Sequence, residues 1–143
     1  MDRVKMLMSY SNKVQIHRRM WETEWNLHNL TDLSVNQFQV LNVLDLTGPK
    51  QSKDLVQITL ITSGGITSIA NKLLEKGLIT RTRDDVEDRR AITLAITDEG
   101  RQVLSGLRKL QDDNFERLFA PLSNAEIAFL DEIYGKLIAS AKG

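Results

Sequence analysis

Residues 63–97 read SGGITSIANKLLEKGLITRTRDDVEDRRAITLAIT, and this stretch decides the fold. Ile66, Ile69, Ala70, Leu73 and Leu74 recur at three- and four-residue spacing, the stripe of an amphipathic helix whose inner face meets a core. Gly77 stands where a helix releases its chain through a C-terminal glycine. After it come an alternating run LITRTR, an acidic turn DDVED, the pair Arg89 and Arg90, and a second alternating run AITLAIT. The expectation is helix, strand, charged hairpin, strand. Gly65, Thr67, Ser68, Asn71 and Lys72 are left on the outer face of the helix. A helix of this size fits a major groove, and a basic hairpin beside it reaches the adjacent minor groove. The layout is that of a DNA reader.

Upstream, residues 2–29 hold no Gly or Pro and read as one long helix, with Leu7, Val14, Trp21, Trp25 and His28 along a near-heptad stripe. Such a helix suits a partner helix better than a small monomeric core. Ser34 and Gln37 form a capping-box pattern opening a second helix, with Phe38, Leu41, Val43, Leu44 and Leu46 as its expected buried face. Gly48 and Pro49 stop it, and Ser52 is expected to cap a short third helix, KDLVQI. Downstream, Thr97 precedes Asp98 and Glu99, acids that favour a helix N-terminus, so a fifth helix of about 20 residues is expected to run until Pro121 breaks it. Ser123 and Glu126 repeat the capping box and open a final helix ending near Ala141. The fold class is mainly α with a small β-hairpin wing, in a single domain over residues 1–143. Residues 33–97 are expected to form its winged helix-turn-helix lobe, and 1–32 and 98–143 its dimerisation helices.

Composition narrows the function. The chain has 143 residues, 41% of them hydrophobic and 27% charged, ordinary values for a soluble globular domain. No apolar run reaches the ~18 residues of a membrane span and no secretory apolar core opens the chain, so no membrane partner is expected and the cytoplasm is the expected compartment. Cysteine is absent, which removes disulfides, thiolate metal sites and thiol redox chemistry. Net charge is zero but unevenly spread. Residues 62–90 carry six cations against five acids, and residues 111–132 carry six acids against Arg117 alone. A local basic face contacts phosphate even on a neutral molecule. No catalytic set, metal site or cofactor is expected: there is no Ser-His-Asp or Cys-His set and no phosphate-binding glycine loop after a strand.

The segments LSVNQFQVLNVL (33–44), SKDL (52–55), SGGITSIANKLLEKGLITR (63–81), DRRAITLAITDEGR (88–101) and APLSNAEIAFLDEIYGKL (120–137) together resemble the MarR family of winged-helix regulators, across essentially the whole chain. The most specific element is the wing Asp88-x-Arg90 followed by Thr97 and Gly100 ahead of a long helix. The resemblance implies a homodimer whose first, fifth and sixth helices interlock, with the fourth helix in the major groove and the wing in the minor groove. It also implies a promoter-binding repressor released by a small, often aromatic, ligand. The wording of residues 63–79 is similar to the urate-responsive branch. However, Gln39 stands where that branch places a ligand-linked Asp and Ile69 where it places an Arg, so urate is not implied.

The expected DNA contacts are Ser63, Gly65, Thr67, Ser68, Asn71, Lys72, Arg83, Asp88, Arg89 and Arg90. Asn and Lys read adenine and guanine edges, and hydroxyls meet phosphate or base. Arginine is drawn to the negative minor groove, with Asp88 orienting a guanidinium. The bland alternatives are a solvated helix face, a plain N-cap at Ser63 and a wing held by its own salt bridge. His17, Trp21, Trp25 and His28 are either packing residues or the wall of an aromatic effector pocket where the long helix meets the DNA-binding lobe. Eleven helical residues separate the two histidines by about 16 Å, too far to share one metal ion. The expected partners are double-stranded DNA with a pseudo-palindromic operator, a second copy of the chain and a small aromatic effector. The rival reading is a winged-helix module that binds protein without specific DNA binding.

Overall fold

A computed structural model describes residues 2–83 and 92–142. The elements run α1 (Arg3–His28), α2 (Val35–Thr47), β1 (Lys50–Gln51), α3 (Ser52–Thr59), α4 (Ser63–Glu75), β2 (Ile79–Arg83), β3 (Ile92–Ile96), α5 (Asp98–Leu118) and α6 (Asn124–Lys142). The mainly helical class with a small β wing is as expected. The sheet has one strand more than the expected hairpin. β3 pairs antiparallel with β2, Ile79 opposite Ile96 through to Arg83 opposite Ile92, and also with β1, Lys50 opposite Leu94.

Local chemistry sets the helix ends. The Ser34 hydroxyl accepts from the Gln37 N–H while the Gln37 side chain accepts from the Ser34 N–H, and Ser123 and Glu126 repeat the exchange ahead of α6. The Thr97 hydroxyl accepts the Gly100 N–H at the start of α5 and donates to the Gly77 carbonyl. Gly77, at φ +73°, carries α4 into β2, with its own N–H on the Leu74 carbonyl and the Leu78 N–H on that of Leu73. Two caps differ from expectation by one residue. Thr62, not Ser63, caps α4 through its hydroxyl on the Gly65 N–H. Gln51 precedes α3, its N–H held by Asp54.

The chain divides into two compact units, Met1–Trp21 with Asp112–Gly143, and Glu22–Gln111. The second contains the winged helix and its core: Phe38, Val40, Leu41 and Leu44 of α2, Leu55 of α3, Ile66, Ile69, Ala70 and Leu73 of α4, and Leu94 of β3. The α2 stripe departs from expectation, since Val40 is buried and Leu46 is 69% exposed. Trp25 closes this core at 2% exposure, its indole N–H donating to the Leu33 carbonyl at 3.0 Å and its ring beside Phe38. α5 is tied to α2 by Arg108, which reaches Asn42 and Asp45, and by Arg101, which also meets Asp45. In the first unit, His17 and Trp21 of α1 meet Phe119 edge-on, and Trp21 also meets Phe115.

Candidate nucleic-acid interface

α4 separates its chemistry by face. Ile66, Ile69, Ala70 and Leu73 are buried, while Ser63, Gly64, Thr67, Ser68 and Asn71 are exposed and Gly65 and Lys72 half-buried. Small and hydroxyl side chains at the N-terminal end leave backbone N–H groups accessible to an approaching phosphate. The two glycines differ. A Cβ on Gly64 meets nothing within 4 Å, whereas one on Gly65 comes to 2.8 Å from Ile61 Cγ2 and 3.1 Å from the Thr62 hydroxyl. The turn entering α4 therefore itself requires Gly65, and the open surface belongs to Gly64.

β2 continues the same surface. Thr80, Arg81, Thr82 and Arg83 are all exposed, although alternate residues of a half-buried strand ordinarily turn inward. Arg81, absent from the expected contacts, donates from Nη2 to Asn71 Oδ1 at 3.3 Å. That bond joins wing strand to α4 through the amide oxygen of the exposed Asn71, so that its amide nitrogen is left to donate elsewhere. The signal for Arg81 lay in the alternation TRTR, which reads as one exposed face of a strand until the pairing shows both faces open. Asp88, Arg89 and Arg90 lie outside the described residues.

Lys72 is not a bare cation. Its Nζ lies 3.5 Å from Asp32, and that of Lys76 lies 2.6 Å from the same carboxylate. The hydrogen bond from Lys76 and the two ammonium charges hold the Asp32 carboxyl below the usual carboxylate range.

The four residues offered for a ligand separate into two groups. Trp25 is core, with its N–H already used, and His28 pairs with Glu24 at 3.4 Å. His17 and Trp21 join the Phe115 and Phe119 cluster in the other unit. There the Trp21 indole N–H and the Asn114 side-chain nitrogen are buried and meet no acceptor among the described residues, while Asn114 Oδ1 accepts from Arg117. Asn114 is fully buried, which its place among the polar residues of α5 did not announce.

A family model described as MarR family matches residues 31–91. The uncharacterized HTH-type transcriptional regulator YpoP of Bacillus subtilis (strain 168) is 31% identical over 137 residues, 94% of this chain and 96% of that protein. A MarR mutant from E. coli, crystallised with operator DNA, has the same fold at TM-score 0.83 and 19% identity, over 96% of this chain and 99% of that one. So does PcaV from Streptomyces coelicolor in complex with its natural ligand, at TM-score 0.83 and 21% identity, over 99% and 97%. The chain belongs to the MarR family and is a DNA-binding, winged-helix transcriptional regulator, not an enzyme. No helix among the described residues is long and apolar enough to cross a membrane.

Proposed function

We propose that the protein is a homodimeric repressor that binds a pseudo-palindromic operator and is released by a small aromatic ligand. The observation that carries the DNA side is the pair of exposed faces on α4 and β2, joined by the hydrogen bond from Arg81 to Asn71. Thr67, Ser68 and Asn71 of α4 and Arg81 and Arg83 of β2 are all exposed, while Ile66, Ile69, Ala70 and Leu73 of α4 are buried in the core. Thr67, Ser68 and Asn71 serve the major groove, and Lys72 the phosphates beside it. Arg83 and the wing residues Asp88, Arg89 and Arg90 serve the backbone and minor groove. Two-fold symmetry of the protein calls for a two-fold site, with half-site centres about 34 Å apart.

The dimer reading is supported by apolar residues that one copy leaves uncovered: Val4, Leu7 and Val14 on α1, Phe129, Leu137 and Ile138 on α6. So many large apolar side chains left exposed on two helices point to an interface. The effector reading is supported by the cluster of Trp21, Phe115 and Phe119, whose buried donors on Trp21 and Asn114 lack an acceptor that an aromatic acid or phenol supplies. A ligand releases DNA only through better binding to the dimer spacing that does not fit the operator.

A gel shift with the gene's own upstream region, run through a salt series, tests the central claim. Specific retardation that weakens steeply with salt is expected. A protein that binds no duplex at any salt is a protein-interaction module instead. Titration with aromatic acids and phenols is expected to quench tryptophan fluorescence and release DNA over one concentration range.

A further inference from the structure

Ser68 and Lys72 of α4 and Lys76 at its C-cap stand four residues apart and so lie on one row, which begins at the open Gly64. Its cationic end does not face solvent alone. The Asp32 carboxylate sits between the two ammonium groups, at 2.6 Å from Lys76 and 3.5 Å from Lys72. Forty residues of chain separate Asp32 from Lys72, so the acid is delivered by the fold.

The turn carrying that acid is braced on both sides. Asn29 Oδ1 accepts from the Thr31 N–H at 2.9 Å and from the Thr31 hydroxyl at 2.7 Å. The Thr31 hydroxyl oxygen in turn accepts the Leu33 N–H at 3.1 Å. The Leu33 carbonyl receives both Asn29 Nδ2 at 2.7 Å and the buried Trp25 indole at 3.0 Å, and the Leu33 side chain is buried. Asp32 thus lies between two fixed residues, while its own side chain remains 61% exposed. An ion pair this exposed is weak, so another anion is able to take its place.

We propose that Asp32 is a built-in counterion that competes with DNA phosphate for Lys72 and Lys76, and so sets both the affinity and the salt dependence of DNA binding. This rests on the reading of α4 as the DNA-facing helix. In the free protein the two lysines are answered internally. A duplex laid along the row either displaces Asp32 or forgoes these two phosphate contacts, and in both cases the fixed negative charge opposes the approach of the backbone. The cost keeps non-specific binding low and leaves discrimination to the groove contacts.

The test is anisotropy of a fluorescein-labelled duplex of arbitrary sequence and about 30 base pairs, since the phosphate contribution is independent of sequence. Asp32→Asn is expected to bind about three- to tenfold more tightly at low salt. With one or two further phosphates neutralised, the slope of log K against log salt is expected to steepen by about 0.9–1.8. The gain is expected to vanish in a Lys72→Gln, Lys76→Gln background and to be absent from Asp131→Asn, which removes an exposed acid on α6. Asp32→Ser is read alongside, with circular dichroism, so that one misfolded variant does not decide the matter. Wild-type binding with no gain in either Asp32 variant, or an equal gain in Asp131→Asn, overturns the competition and leaves the DNA reading standing. Failure of wild type and all variants to bind any duplex overturns both.

Discussion

Gly100→Ala is expected to destabilise the fold out of proportion to the single methyl group it adds. A Cβ at this position falls 2.2 Å from the Leu78 carbonyl oxygen, 3.2 Å from its carbon and 2.7 Å from Ile96 Cγ1. The carbonyl is backbone and already accepts the Thr97 N–H at 3.0 Å, so it cannot retreat without releasing that bond. Nor can α5 lift away freely, because Thr97 holds the Gly100 N–H at 3.0 Å and the Gly77 carbonyl at 2.8 Å. Overpacking a fitted site costs about 1–3 kcal/mol and the strained hydrogen bond about 1 more. Replacing helical glycine returns at most about 1. The net loss is about 1–3 kcal/mol, a sizeable share of the ~5–15 kcal/mol that holds a domain together. Guanidinium unfolding at one fixed protein concentration is the assay, because a dimer's midpoint moves with concentration. Gly106→Ala, in the same helix with nothing within 4 Å of its Cβ, is the matched control and is expected to gain about 0.5–1 kcal/mol. A Gly100→Ala protein within about 0.5 kcal/mol of wild type refutes the claim that α5 is seated directly on the Leu78 backbone.

Arg90→Ala is expected to weaken operator binding by about 1–3 kcal/mol with the fold intact by circular dichroism. Arg101→Ala, whose guanidinium is engaged with Asp45 and Asp98, serves as the comparison, and equal losses from the two would remove the wing from the mechanism. Trp25→Phe is expected to cost about 1–2 kcal/mol and Trp25→Ala about 3–5, measured by chemical unfolding. The milder figure holds because the Leu33 carbonyl keeps Asn29 when the indole is lost. The Glu126 carboxyl sits below its ordinary value because it accepts from the Ser123 N–H and because the two side chains share the capping box. A lowered folded-state value means the contribution is complete above the unfolded value and is lost as pH falls through the folded one. The stability difference between wild type and Glu126→Gln is therefore expected to be complete above the ordinary carboxylate range and to fall away as pH drops through and below it, and a carboxyl titrating by NMR at or above the ordinary ~4.3 contradicts this.

Where α2, α5 and α6 start, and where α4 stops, was legible in residues three or four apart, since a cap is a bond between near neighbours. Ser34 with Gln37, Ser123 with Glu126, Thr97 with Gly100 and Gly77 after α4 all act within one turn. The inner face of α4 was equally legible, because a core selects apolar residues at the helical period. Neighbouring oxygens are harder to separate. Thr62 and Ser63 both carry a hydroxyl, and the direction in which the chain enters α4 gives the cap to Thr62.

Other features depended on how elements meet. β1 is two polar residues long, too short to carry any alternation, and exists because β3 offers it a free edge. Val40 is inside and Leu46 outside because the angle at which α2 meets its neighbours, not its own pattern, chooses which flank of the stripe is covered. The tryptophans of α1 look alike in sequence, yet Trp25 finds the Leu33 carbonyl and the core while Trp21 finds a ring cluster with no acceptor. The arrangement of Asp32 against Lys72 and Lys76 lies furthest from sequence reading. Periodicity and capping report interactions within a turn of chain, whereas an ion pair across forty residues exists only once tertiary packing has brought its two ends together.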